Sequence, residues 1–328
     1  MLRTATPKLS QIQEPIADRL DRVVDEFRRI VAGDFDRIGE INDYLLQVRG
    51  KLFRPSLLLL CSEVGGRSRP QAEALAAVVE LIHLSTLVHD DAVDHSVLRR
   101  GMPTVNAMWS HQVAIIMGDY LYSRSITELA RLGDIEPVRI LAAAANAMSV
   151  GELRQLASCD ALDFSERDYH QLIDCKTASL ISAACELGAL CGEPGLRAPL
   201  GRFGHELGMA FQIVDDLLDY TSDEAALGKP AGLDLREHKV TLPLLHVLPR
   251  LSTADRTDVE EFFANPEPSD GEIAGIVRLV RDHGGLDYAK SQALAFAQRA
   301  REALDGLPAG RPLQALQESI AYVVERRR

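Results

Sequence analysis

The chain has 328 residues, 46% of them hydrophobic and 26% charged, with a formal net charge of −12. That composition excludes a disordered polypeptide, and the acidic balance argues against a general nucleic-acid binder. The length allows one large domain or two ordinary ones.

Residues Met1 to Pro15 are polar and lack the apolar core of a secretory signal. No run reads as the roughly 20 apolar residues of a membrane span, the densest aliphatic patch being Leu57–Cys61. Integral membrane insertion is excluded on this reading, and peripheral association is left open. The five cysteines, Cys61, Cys159, Cys175, Cys185 and Cys191, form no C-x-x-C pair, which points to reduced thiols in a cytoplasmic chain.

Nearly every segment between breakers carries the apolar spacing of a helix, and alternating β-branched runs are scarce. Breakers fall at Gly65–Pro70, Gly101–Pro103, Gly133–Pro137, Gly192–Gly195, Asn265–Gly271, Gly284-Gly285 and Gly306–Pro312. Between them the spacing predicts helices of roughly 15–28 residues, longer than average. The expected fold is all-α: a bundle of long antiparallel helices, in one domain spanning residues 1–328, with no linker that would split it.

Taken in chain order, Gly50-Lys51-Leu52-Phe53-Arg54-Pro55 sets two cations three residues apart after a turn-forming glycine. A helix from about Gln71 to Val93 follows. On it Val79, His83, Thr86, Asp90 and Asp94 share one stripe, while Asp91 points about 100° away and takes a supporting role. Arg99 and Arg100 come next. Lys176-Thr177-Ala178 opens another apolar helix. The run Leu207–Val214 leads into a second D-D-x-x-D cluster, Asp215, Asp216 and Asp219, with Phe211, Asp215 and Asp219 on one stripe. Tyr220–Glu237 reads as a long functional loop carrying Lys229 among its glycines, and Lys239 lies just beyond it. From about Arg250 no constellation suggests chemistry.

Three carboxylates at a helix C-terminus oppose the macrodipole, at a cost of about 0.3–1 kcal/mol. A surface shaped for stability alone would not repeat that arrangement. A divalent cation would remove the penalty, and Mg²⁺ takes one or two carboxylates together with phosphate oxygens. The neighbouring arginines and lysines suit a diphosphate. No nucleophile motif, P-loop or zinc signature is present, and His83, His89 and His95 have too oxygen-rich a setting for zinc.

These stretches resemble the trans-isoprenyl diphosphate synthases, or polyprenyl synthetases. The matches are GKLFRP at Gly50–Pro55, the segment Glu80–Thr104, GDYL at Gly118–Leu121, KTASLI at Lys176–Ile181 and the segment Gly208–Leu245. The resemblance implies an all-α prenyltransferase, a homodimer, with both aspartate motifs facing each other across a deep cavity. It implies Mg²⁺ held by Asp90, Asp94, Asp215 and Asp219, with Asp91 and Asp216 behind them. Arg99, Lys176, Thr177, Gln212, Lys229 and Lys239 would contact the allylic diphosphate, Lys176 taking part in catalysis. Lys51, Arg54, His83 and Arg100 would contact isopentenyl diphosphate. Ionisation of the allylic C–O bond would then be followed by attack of the isopentenyl double bond and loss of a proton.

In the family, bulky aromatics four or five residues before the first aspartate stop growth early. Thr86 and Ser85 stand there and are small, and Ile82 and Val79 follow about 12 and 16 Å down the axis. The expected product is therefore longer than farnesyl diphosphate, with a short-chain product as the alternative. A terpene cyclase would carry a different second metal motif. A non-catalytic subunit of a heteromeric synthase would have lost aspartates or cations, and none is missing.

Overall fold

The computed structural model describes residues 6–33, 35–47, 50–66, 68–99, 101–157, 162–221 and 232–326. Among them the chain is helical apart from turns and one two-residue antiparallel pair. The N-terminal helices are α1 (Leu9–Gln13), α2 (Ala17–Val31), α3 (Asp36–Gln47) and α4 (Phe53–Glu63). Helix α5 (Gln71–Val93) precedes the hairpin of β1 (Leu98–Arg99) and β2 (Met102–Pro103). Next come α6 (Val105–Met108), α7 (His111–Leu132), α8 (Ile135–Ala157), α9 (Glu166–Ile173), a π-turn (Asp174–Ala178), α10 (Ser179–Cys191) and α11 (Arg197–Thr221). The remainder comprises α12 (Leu233–Arg236), α13 (Leu242–Val247), α14 (Thr253–Ala264), α15 (Asp270–Asp282), α16 (Gly285–Ala303) and α17 (Arg311–Glu325).

Helix α5 is the axis of the molecule. Leu75, Val78, Val79, Leu81 and Ile82 point around its circumference and all are buried. Such a helix, apolar on every side, has to be enclosed by others. It packs against α2, α4, α7 and α10, while α11 lies along α10 and α16. Each fully buried leucine or valine contributes about 1.5–3 kcal/mol of transfer free energy.

Helix α5 also corrects the membrane reading. It is long and apolar enough to cross a bilayer, but 72% of its most apolar window is buried inside the fold. Glu73 and Glu80 interrupt the run by eye without lowering the average far. Its apolar surface is spent on neighbouring helices.

Capping explains several boundaries. Ser110 Oγ accepts from the backbone N–H of Val113, and Ser165 with Asp168 and Ser269 with Glu272 form reciprocal capping boxes. The break before α9 was absent from the breaker set because it carries no proline or glycine; the Ser165-x-x-Asp168 box is its signal. The four longest helices have 22 to 25 residues. Those after residue 250 have 12 to 19. The loop expected over Tyr220–Glu237 is shorter at both ends, since α11 runs to Thr221 and Leu233–Arg236 is helical.

Candidate active site

The two aspartate clusters end α5 and α11, and both helices open onto one cavity of about 480 Å³. Asp90 and Asp215 line it, together with Arg54, His83, Thr86, Arg99, Lys176, Thr177, Phe211 and Gln212. Met148, Leu153, Leu156 and Leu87 supply an apolar wall. Asp94 is exposed at the C-cap of α5, where its N–H donates to the Asp90 carbonyl at 2.8 Å. Burial acts to lower the Lys239 ammonium, but Glu237, Asp234 and Asp94 together hold it above its ordinary value.

Burial pushes the Asp90 carboxyl up to about 6; the charges of Glu152 and Asp94 add to that, and those of Lys176 and Arg99 oppose it. A cation placed beside this carboxyl would favour its ionised form. Asp91 and Asp216 are buried at 6% exposure each, as a 100° rotation from the stripes of Asp90 and Asp215 requires. Arg99 donates to Asp91 through Nε at 2.8 and 3.0 Å, and its Nη2 lies 2.8 Å from Oδ1. The arginine expected on the allylic diphosphate is therefore held by the buried aspartate next to Asp90.

The second cluster is more heavily engaged. Asp215 Oδ1 accepts from Arg326 Nη2 at 2.8 Å. The Arg326 guanidinium also stacks 3.9 Å from the Phe211 ring centre and donates to the Phe211 carbonyl at 2.9 Å. Asp219 accepts from the backbone N–H groups of Leu233 and Asp234 at 3.1 and 3.0 Å, serving as the cap of α12. Among the described residues no three His, Cys, Asp or Glu side chains converge on one point.

Lys176 sits within the π-turn, an irregularity that recurs at functional sites. Its ammonium donates to Gln155 at 2.8 Å and pairs with Glu152 at 2.7 Å, which aims it across the cavity from α8. Two glycines permit that arrangement. A Cβ on Gly208 would lie 2.6 Å from the Ala178 Cα, and one on Gly151 would lie 3.1 Å from the Lys176 nitrogen. Backbone strain also gathers at the binding motifs. Leu52, between Lys51 and Arg54, has φ 51°; His95, after Asp94, has φ 51°; His238, before Lys239, has φ 55°. Each costs of order 1–2 kcal/mol.

The remaining predicted residues divide clearly. Lys51 is exposed, and its carbonyl is fixed by Gln13 at 2.9 Å. Lys239 pairs with Glu237 at 2.6 Å and lines a smaller adjoining cavity of about 190 Å³ that also holds Lys176, Thr177 and Gln212. Arg100 and Lys229 lie outside the described residues. Thr86 lines the main cavity, but Ser85 does not: it is 2% exposed and donates to the Gly118 carbonyl on α7 at 2.8 Å. Ile82 and Val79 are packed in the core at 1% and 0% exposure, away from the cavity lining. Below Thr86 the stripe still meets the cavity at His83 and reaches the core at Val79.

A model described as polyprenyl synthetase matches residues 36–280. The chain belongs to that family. This prenyltransferase is 35% identical over 323 residues to heptaprenyl diphosphate synthase component 2 of Geobacillus stearothermophilus, covering 97% of this chain and 99% of that one. It is similar to the crystal structure of a decaprenyl diphosphate synthase from Rhodobacter capsulatus, with TM-score 0.92, 35% identity, and 98% and 100% of the two chains covered. A polyprenyl synthase from Caulobacter crescentus CB15, complexed with calcium and isoprenyl diphosphate, matches with TM-score 0.93, 31% identity, and 99% and 100% coverage.

Sequence reasoning missed Glu152, Gln155, Tyr169 and Arg326. Glu152 and Gln155 stand at i, i+3 on α8 beside other polar residues, Asn146, Ser149 and Arg154, so spacing did not single them out. Arg326 had no signal either, since only tertiary packing brings it to Asp215.

Proposed function

We propose that this prenyltransferase condenses an allylic diphosphate with isopentenyl diphosphate, head to tail, and releases a product longer than farnesyl diphosphate. The observation that carries the reading is the opening of Asp90 and Asp215 onto one cavity that has Lys176 and Arg99 at its charged end and an apolar wall from α8. The oxygen-only donors and the lack of a closed protein cage fit Mg²⁺, which completes its shell with substrate phosphates and water. Asp90, Asp94 and Asp215 would hold it, with Asp219 released from its cap. When bound, Mg²⁺ supplies Lewis-acid stabilisation of the departing diphosphate.

The chain's own residues do the rest. Lys176, braced by Glu152 and Gln155, and Arg99, braced by Asp91, present fixed positive charge to the leaving group. Arg54, His83 and Lys51 orient isopentenyl diphosphate. Met148, Leu153, Leu156 and Phe211 exclude water from the allylic cation. Small Thr86 leaves the wall below Asp90 open to a growing tail. We further propose that the chain works as one domain in the cytoplasm, where free Cys61, Cys175, Cys185 and Cys191 stay reduced. It would pair with a second copy through the exposed stripe of Ile115, Ile116, Tyr122 and Ile126 on α7.

The test is the purified chain alone with Mg²⁺, farnesyl diphosphate and isopentenyl diphosphate, and chromatography of the dephosphorylated products. Linear products of about twenty carbons or more support the proposal. Cyclic hydrocarbons, or no elongation without a second protein, overturn it.

A further inference from the structure

Asp216 is a carboxylate that faces away from the main cavity, and both of its oxygens are engaged. Oδ2 accepts from the Tyr169 hydroxyl at 2.6 Å, and Oδ1 accepts from Gln212 Nε2 at 2.7 Å. The other end of the Gln212 amide, Oε1, accepts from Thr177 Oγ1 at 2.8 Å. Tyr169 is 1% exposed on α9, and Thr177 is 5% exposed in the π-turn, directly after Lys176. One chain of hydrogen bonds thus joins α9, the end of α11 and the turn that carries Lys176.

The chemistry of the donors fixes its direction. An ionised carboxylate only accepts, so it draws the amide nitrogen of Gln212 towards itself and turns the amide oxygen to Thr177. The second N–H of Gln212 is then left for the cavities that Gln212 lines. Without a second donor on Asp216, that carboxylate would swing to recover a partner, because a buried charged oxygen left unsatisfied is costly. The Gln212 amide and the Lys176-Thr177 turn would lose their common reference.

We infer that Tyr169 is a positioning residue for prenyl transfer: its hydroxyl locks Asp216, and through Gln212 and Thr177 sets the donor pattern offered to the allylic diphosphate. This rests on the proposed reaction. Among the described residues the Tyr169 hydroxyl bonds to Asp216 and to no lysine, arginine or other aspartate, so it acts through Asp216. The isopentenyl side, built on α4 and the middle of α5, lies outside the chain of hydrogen bonds.

The experiment is steady-state kinetics of the full chain at saturating Mg²⁺, varying farnesyl diphosphate and isopentenyl diphosphate in turn. Tyr169→Phe keeps the ring and removes one donor to a charged acceptor. It should raise KM for the allylic substrate about tenfold and leave KM for isopentenyl diphosphate within about twofold. Asp216→Asn, which offers one acceptor in place of two, should give the same split and serves if Tyr169→Phe does not fold. The double variant Tyr169→Phe/Thr177→Val should be no worse than the more impaired single variant, since both cut one chain. Folded single variants with an unmoved allylic KM, equal rises in both KM values, or additive losses overturn the inference. A wild-type chain that elongates nothing overturns the proposed function, and the inference with it; an active wild type with unmoved variants sinks the inference alone.

Discussion

Replacing Arg326 by alanine should make this enzyme easier to activate with Mg²⁺. The guanidinium donates to Asp215 Oδ1 at 2.8 Å, so it competes for the charge of that carboxylate with any metal that reaches it. Asp215 is 49% exposed and Arg326 9%, so the pair is neither a screened surface bridge nor a sealed one. A charge-assisted hydrogen bond contributes about 1.5–3 kcal/mol when well shielded, and an exposed ion pair about 0–1. A value of about 1 kcal/mol corresponds to roughly a fivefold fall in the Mg²⁺ concentration for half-maximal rate. Stability should drop by only about 1 kcal/mol. Loss of the stacking on Phe211 is offset by removal of the buried Arg326 Nε, which has no hydrogen-bond partner among the described residues. The assay is initial rate against Mg²⁺ at saturating substrates, with thermal unfolding of both proteins. An unchanged or higher midpoint in a folded variant would show that Arg326 does not compete with metal.

Asp90→Asn and Asp215→Asn should each lower kcat at least a hundredfold while moving the melting temperature by a few degrees at most; a large loss of stability would make the aspartates structural. Because burial lifts the Asp90 carboxyl to about 6, above the ordinary value near 4, its contribution to stability is present below about pH 4 and fades as pH rises through 6. In EDTA, the melting temperature of the wild type relative to Asp90→Asn should therefore fall across that window. The wild-type Mg²⁺ midpoint should rise up to tenfold per unit below pH 6, and a flat profile would contradict both statements. Thr86→Phe should shorten the product by filling the cavity wall, which chromatography reads directly, whereas Ser85→Phe should cost about 1–3 kcal/mol by driving a ring into α7. Ile116→Glu, at a position 64% exposed, should convert a dimer to a monomer on gel filtration; an unchanged elution volume would remove α7 from the interface.

Most of the charged end of the site was legible. A helix repeats every 3.6 residues, so spacing alone separates Asp90 from Asp91 and Asp215 from Asp216, and burial follows that division. The roles behind those residues were less legible. Arg99 read as a contact to the allylic diphosphate, and only the hairpin that carries it turns it onto Asp91. Asp219 read as a metal ligand, yet the short helix α12 uses it as a cap. Ser85 and Thr86 are adjacent and both small, but 100° of helical rotation puts one against Gly118 and the other in the cavity.

Local periodicity and composition were sufficient for the helical class, the two acidic combs and their cationic neighbours, because those depend on contacts within a few residues of chain. The bracing of Lys176 by α8, the pairing of Arg326 with Asp215 across 111 positions, and the closing of α5 by α7 depend on which helices become neighbours. That choice is made by the summed burial of whole helix faces, a property that no single motif carries.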